Sequence, residues 1–174
     1  TGSSLNTFDA SGNAGGVTAE INTTTVGTIT EYVFSAGNDV VTLAENTVDT
    51  KITLGAGDDI VTLDSGTTGL AAVIDGGTGI DTLEMFVADA NGVTDGTFEA
   101  KISGFEKLSL TATLAAAVID LSLFDDIDYV ISAGTGNGFK LDLTNMANNG
   151  TLELTGDTSA GDDITVTVAN ASGN

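Results

Sequence analysis

The chain has 174 residues, 41% of them hydrophobic, and a formal net charge of -21, because 25 acidic residues face only 4 basic ones. This charge excludes a nucleic-acid partner, since phosphate binding needs a basic surface, and the hydrophobic content argues against a disordered acidic tail. Cysteine is absent, which excludes disulfides and thiolate metal sites. We therefore expect a folded, β-rich domain whose negative charge is balanced by cations.

Residues 1–33 are predicted to be an irregular β entry segment, in which "GVTAEIN" (16–22) and "GTITEYVF" (27–34) can each form a strand. The chain begins at Thr1 without a signal peptide, so we expect a processed product or a part of a longer protein. The longest apolar run, "LAAAVI" (114–119), is too short to span a membrane, and we expect no membrane insertion.

Residues 34–86 contain three similar glycine turns, each leading directly into a strand. They are "SAGNDVVTL" (35–43), "GAGDDIVTL" (55–63) and "GGTGIDTLE" (76–84). The plainer strands "TKITL" (50–54) and "AAVID" (71–75) lie between them, so each repeat contains two short strands.

The spacing of these turns predicts an all-β, right-handed parallel β-solenoid (β-roll or β-helix) of about 20–22 residues per coil and about eight coils. An antiparallel sandwich is the alternative, because it also has short strands at a regular spacing. In a sandwich, successive turns alternate between the two ends of the sheet, whereas in a solenoid the turns one coil apart stack. Identical turns at a constant interval favour the solenoid.

A glycine turn leaves its backbone carbonyl oxygens free, and Ca²⁺ takes six to eight oxygen ligands. Two stacked turns, each with one carboxylate, can supply that number of oxygens. The simpler alternative is a β-turn in which aspartate caps its own backbone. Three such turns in register on a chain of this charge favour calcium.

The segment "GGTGIDTLE" matches the nonapeptide G-G-x-G-x-D-x-U-x throughout, and the chain resembles RTX (repeat-in-toxin) calcium-binding repeats over about residues 34–85. The order of its segments resembles RTX-type bacterial S-layer proteins. The resemblance implies Ca²⁺ as the cofactor, with one ion bridging residues 37–39 and 57–59 and a second bridging 57–59 and 77–81. The implied ligands are Gly37, Asp39, Gly57, Asp59, Gly77, Gly79 and Asp81.

Residues 87–174 are predicted to continue the solenoid with few glycine turns, after a long loop or decorated coil near 86–104. Apolar residues recur 11 positions apart, and alternation within each segment predicts half-buried strands. The recurring residues are Leu108, Ile119, Val130, Leu141 and Leu152, followed by Ile164.

Further acidic residues are weaker cation candidates. Asp162 and Asp163 repeat the turn once more and are predicted to form at best a half-site. Asp120 and Asp142 are predicted to stack as like charges on one outer face, which would need a cation.

The inventory of side chains argues against an enzyme. Histidine, cysteine and arginine are absent, which excludes catalytic triads and imidazole-bound metal, and leaves only a glycosidase-like carboxylate pair as a catalytic alternative. We expect a secreted, calcium-stabilised structural protein of the extracellular cell surface (S-layer or filament) that assembles with copies of itself. Cell-surface polysaccharide is a further candidate partner. The alternative is a calcium-dependent module of a secreted adhesin or of a ligand- or ice-binding protein.

Overall fold

The computed structural model describes residues 6–22, 29–44, 49–64, 70–111, 116–134, 140–156 and 163–168. These residues form an all-β solenoid of parallel sheets that makes about six turns, which confirms the predicted fold class and excludes the sandwich. The expected number of coils, about eight, was too high. The second sheet spans only residues 18–154, so that six steps separate its first and last strands. Five of these steps are 20 or 22 residues, as expected, and the step from Leu83 to Leu108 is 25 residues.

Each coil contributes short strands and very little helix. In chain order the strands are β1 Thr7–Asp9, β2 Thr18–Ile21, β3 Glu31–Val33, β4 Val40–Leu43, β5 Lys51–Ala56, β6 Ile60–Leu63, β7 Val73–Thr78, β8 Thr82–Phe86, β9 Ile102–Ser103, β10 Lys107–Thr111, β11 Ala117–Asp120, β12 Tyr129–Ser132, β13 Lys140–Met146, β14 Thr151–Leu154 and β15 Asp163–Val168. The helix α1 spans Val87–Gly92, and two 3-10 turns span Glu99–Lys101 and Leu121–Leu123. In the described part of the chain, no helix has the length and apolar character needed to cross a membrane.

The strands form three parallel sheets. The first sheet has the order β1-β3-β5-β7-β9, the second β2-β4-β6-β8-β10-β12-β14, and the third β11-β13-β15. Every coil from the first onward sends a strand to the second sheet, which is therefore the continuous wall of the solenoid. Its inward row runs in register through Val41, Val61, Leu83, Leu108, Val130 and Leu152.

The register of the third sheet differs from the one expected. Ile119 pairs with Leu143, and Leu141 pairs with Ala117, so the 11-residue spacing does not align Ile119 with Leu141. The same shift places Asp120 beside Thr144 and Asp142 beside Val118. The predicted stack of the two aspartates is therefore wrong.

Asp120 and Asp142 each have polar partners of their own. Asp120 begins the 3-10 turn Leu121–Leu123 and accepts hydrogen bonds from the Ser122 amide and from Asn145 Nδ2. The carboxylate of Asp142 instead forms an ion pair with Lys140 Nζ at 3.0 Å. Each charge is thus compensated by its own neighbours.

The segment predicted as a long loop or decorated coil holds α1 and the first 3-10 turn. Val87 and Ala90 of α1 are buried against the core. Phe98 packs edge-on against the fully buried Phe124, with ring centroids 5.4 Å apart. This insertion extends the core where the first sheet gives way to the third.

The glycine turns stack backbone on backbone, as expected for a solenoid. Gly57 has φ +126° and Gly79 has φ +145°, and residues other than glycine rarely adopt such positive φ angles. A Cβ at Gly57 would lie 2.8 Å from the carbonyl carbon of Gly37, and one at Gly79 would collide with the carbonyl oxygen of Gly57. Glycine is thus required at the second and third turns for the coils to approach each other.

Gly79→Ala is expected to destabilise the fold through this collision and the positive φ. Strain of this kind costs about 1–3 kcal/mol, and each kcal/mol lowers the Tm by roughly 2–4 °C in a chain of this size. Gly12→Ala is the control, because a Cβ at Gly12 meets no described atom within 4 Å. Thermal unfolding followed by circular dichroism measures both, and equal melting temperatures would contradict the stacked packing.

Candidate metal site in the stacked turns

The three aspartates of the glycine turns lie in one buried row. Asp39, Asp59 and Asp81 are each 0% exposed, and each immediately precedes a strand of the second sheet. The parallel registers between β4, β6 and β8 place them in successive coils. The structure thus brings these three predicted site residues together in one row.

Each carboxylate of the row reaches back to the coil before it. Asp59 Oδ1 accepts a hydrogen bond from the Asp39 amide at 2.7 Å, and Asp81 Oδ1 accepts one from the Asp59 amide at 2.8 Å. Asp39 Oδ1 accepts one from the Val17 amide at 2.6 Å. We call this chain of contacts the carboxylate ladder. It joins neighbouring coils, which a local turn cap would not do.

The ladder continues beyond the glycine turns through a residue that the sequence prediction missed. Glu106 Oε2 accepts a hydrogen bond from the Asp81 amide at 2.8 Å. One coil further on, Asp125 Oδ2 accepts one from the Phe105 amide at 3.1 Å. A signal for Glu106 existed, because Gly104, Glu106 and Leu108 have the same spacing as glycine, aspartate and leucine in the third turn.

The second carboxylate oxygen distinguishes the first turn from the next two. Asp39 Oδ2 accepts a hydrogen bond from the Ser35 amide at 3.0 Å. In contrast, Asp59 Oδ2 and Asp81 Oδ2 are buried and accept no hydrogen bond from any described residue. We call these two atoms the open oxygens. A buried charge without a partner is costly, so each open oxygen requires either a proton or a cation.

Burial raises the pKa of Asp59 to about 6. The nearby charges of Asp81, Asp39 and Asp58 contribute to this increase, against the opposing effect of the hydrogen bond from the Asp39 amide. Burial also raises the pKa of Asp81, and the charges of Glu106, Asp58 and Asp75 act in the same direction. Both carboxylates of the open oxygens are therefore destabilised as anions.

The surroundings of the open oxygens suit a hard cation that takes oxygen ligands. Among the described residues, no group of three or more acidic, histidine or cysteine side chains gathers at one point. A bound ion would therefore take most of its ligands from backbone carbonyl oxygens. The stacked turns contain such carbonyls, since Gly77 packs directly against the Gly55 carbonyl and Gly79 against that of Gly57. A few carboxylates with several carbonyls is a ligand set that Ca²⁺ accepts.

The remaining predicted ligands have different surroundings. The Gly37 carbonyl oxygen lies 3.2 Å from Ser35 Oγ. Asp163 is the first residue of β15, is exposed, and pairs with Lys140 in the third sheet, away from the ladder. Asp162 lies outside the described residues, as do 45–48 and 65–69 on the opposite edge, where no metal was expected.

No protein-family model matches this chain, and comparisons with curated proteins and with solved structures find no similar protein. The RTX and S-layer resemblances therefore stay predictions that rest on the motif. The geometry of the stacked turns is therefore the basis for assigning a function.

In the presence of a chelator, the protein is expected to gain stability as the pH falls from about 7.5 to about 5. The folded-state pKa of Asp59 is raised from 3.8 to about 6, so its contribution is fully present below 3.8 and is lost as the pH rises through about 6. Melting temperatures across this range, measured in EDTA, test the prediction.

Two variants isolate the contribution of Asp59. Asp59→Asn removes the charge and should flatten the profile between about pH 5 and 7.5. Asp95→Asn should keep the wild-type profile, because Asp95 is exposed and the Thr97 hydroxyl lowers its pKa, which moves its titration below this window. Identical profiles for wild type and Asp59→Asn would contradict the assignment.

Proposed function

We propose that this protein is a calcium-stabilised structural β-solenoid of the extracellular cell surface, which assembles with copies of itself into a layer or filament. The observation that carries the proposal is the pair of open oxygens, buried in stacked glycine turns of a chain with a net charge of -21. A cation would satisfy these two oxygens, and they lie in the turns where the RTX resemblance implies calcium.

The residues would act as follows. Asp59 Oδ2 and Asp81 Oδ2 would each hold an ion together with carbonyl oxygens near Gly57, Gly77 and Gly79, while the Oδ1 atoms keep their ladder hydrogen bonds. Calcium, when bound, would neutralise the charge of these carboxylates and so stabilise the stacked turns. Sites tuned to extracellular concentrations bind in the range of about 10⁻⁴–10⁻³ M, so the fold would tighten outside the cell.

Self-assembly is supported by apolar side chains at one end of the solenoid. Leu154, Val166 and Val168 are 47%, 39% and 48% exposed, although they continue rows that are buried in earlier coils. Val166 pairs with the buried Leu143, and Val168 with the buried Met146. Among the described strands, β14 and β15 are the outermost of their sheets, and such edges favour pairing with another chain.

The ice-binding alternative is disfavoured by the outer face of the second sheet. Thr42 and Thr62 do pair in register, but Glu20 and Glu84 flank them in the same row. Thr62 Oγ1 lies 3.2 Å from Glu84 Oε1. A row of two threonines between two charges does not form an extended flat face.

Calcium is expected to raise the Tm of the wild-type protein, and Asp59→Asn is expected to lose most of this increase. The asparagine keeps an oxygen for the Asp39 amide but lacks the charge that the ion needs. Thermal unfolding and isothermal titration with CaCl₂, with MgCl₂ as the comparison ion, measure the effect.

Asp95→Asn is the matched control for the calcium titration, since it removes one exposed carboxylate that belongs to none of the three glycine turns. It should respond to calcium as the wild type does. If wild type and both variants gain the same stability from CaCl₂ and MgCl₂, calcium acts only by general screening and the proposed site is rejected.

Val166→Glu is expected to abolish calcium-dependent assembly, because it places a charge in the exposed apolar row of β15. Thr167→Glu adds the same charge to the opposite face of the same strand and should still assemble. Light scattering and negative-stain microscopy with and without CaCl₂ compare the two. Wild-type protein that stays monomeric in calcium would refute the assembly.

A further inference from the structure

The third glycine turn lacks an inward side chain that the two earlier coils have. The register of the first sheet places Gly76 level with Leu54 and, one coil earlier, with Phe34. Leu54 and Phe34 fill this position with side chains that are 0% and 1% exposed. At Gly76 no side chain occupies the position, so other groups can lie next to the third turn.

Two oxygen atoms from different coils lie beside Gly76. A Cβ at Gly76 would collide with the carbonyl oxygen of Gly104 and would lie 3.0 Å from Asp81 Oδ2. Gly104 belongs to the following coil, since it comes directly after β9, and Ser103 of β9 pairs with Asp75 of β7. One of the two open oxygens therefore lies near a backbone carbonyl oxygen of the next coil.

Neither of these two oxygens can satisfy the other. Asp81 is 0% exposed, and its Oδ2 accepts no hydrogen bond from any described residue. A carbonyl oxygen is only an acceptor and cannot donate the missing hydrogen bond. Burial raises the pKa of Asp81, and the charges of Glu106 and Asp75 act in the same direction, so the surroundings are negative. A buried carboxylate oxygen and a carbonyl oxygen in negative surroundings suit a shared cation.

Glu106 brings a second carboxylate to the same corner of the solenoid. Its Oε2 accepts a hydrogen bond from the Asp81 amide at 2.8 Å, which is the ladder contact between these two coils. Gly104 and Glu106 are close in sequence, so the carbonyl and the carboxylate come from one short turn. The coil that follows Asp81 thus presents both kinds of oxygen that a calcium ion binds.

We propose that the calcium ion held by Asp81 is completed by the following coil, with the Gly104 carbonyl oxygen and the Glu106 carboxylate as its further ligands. The proposal rests on the proposed function, because it concerns one of the same two open oxygens. It extends the metal site beyond the RTX resemblance, which implies no ligand after Asp81. The ion joins the glycine turns to the glycine-poor half of the solenoid, so calcium stabilises β9 as well as the turns.

Glu106→Gln tests the second carboxylate. Glutamine keeps an oxygen for the Asp81 amide but lacks the charge. It is expected to weaken calcium binding at one site by about ten-fold, because calcium affinity follows the number of charged ligands. Glu84→Gln is the control, since Glu84 lies in the coil of Asp81 but on the outer face, beside Thr62 and Ser109. Isothermal titration with CaCl₂ compares both variants with the wild type.

Hydrogen exchange followed by mass spectrometry locates the ion along the chain. Calcium is expected to slow exchange at residues 102–106 in the wild type and in Glu84→Gln, and to slow it less in Glu106→Gln. If calcium slows exchange at residues 55–59 and leaves 102–106 unchanged, the ion of Asp81 is shared with the preceding coil and the proposal is overturned.

The outcomes separate this proposal from the proposed function. Wild-type protein that binds no calcium overturns the proposed function and this proposal with it. Wild-type protein that binds calcium, with the same affinity in Glu106→Gln and Glu84→Gln, overturns this proposal alone. If Glu106→Gln does not fold, the exchange pattern of the wild type decides, since slower exchange at residues 102–106 in calcium supports the proposal and unchanged exchange overturns it.

Discussion

The solenoid depends on one hydrogen bond that is repeated from coil to coil, in which a buried carboxylate accepts the backbone amide of an acidic residue one coil earlier. Glycine lets the turns approach, but it offers no side chain to satisfy the amides that are buried there. Asp59 and Asp81 supply that acceptor across the coils. The ladder also holds the register, because a slip by one residue would move each carboxylate away from its amide.

The same interaction accounts for the unusual electrostatics of the chain. A carboxylate that is drawn inward to reach an amide loses its hydration, and its second oxygen needs a partner of its own. Asp39 finds this partner in Ser35, whereas Asp59 and Asp81 do not find one among the described residues. Among the described residues, the buried acidic side chains are those of this row, Asp39, Asp59 and Asp81, and the open oxygens of the last two follow from the packing.

Much of the fold could be predicted because it follows from the regular spacing of glycine, aspartate and apolar residues along the chain. Glycine and aspartate recur at a near-constant interval, and the apolar alternation of Val41 and Leu43 recurs along the second sheet, with Ser132 of β12 as the exception. The register of Ile119 could not be predicted, because its partner Leu143 lies 24 residues further on, whereas Leu108 and Val130 of the second sheet are 22 residues apart. The backward direction of the ladder also required the coils to be stacked, since the residues that it joins are far apart in sequence.

The ladder has a polarity along the chain, and this polarity has a consequence for how the protein is made. Each amide of the ladder donates to a carboxylate in the coil that follows. The Val17 amide donates to Asp39, and the Asp81 amide donates to Glu106. During synthesis from the amino terminus, the newest coil therefore always carries an exposed donor at its growing edge. Coils that form in chain order would therefore each be locked in place by their successor, which supplies the missing acceptor.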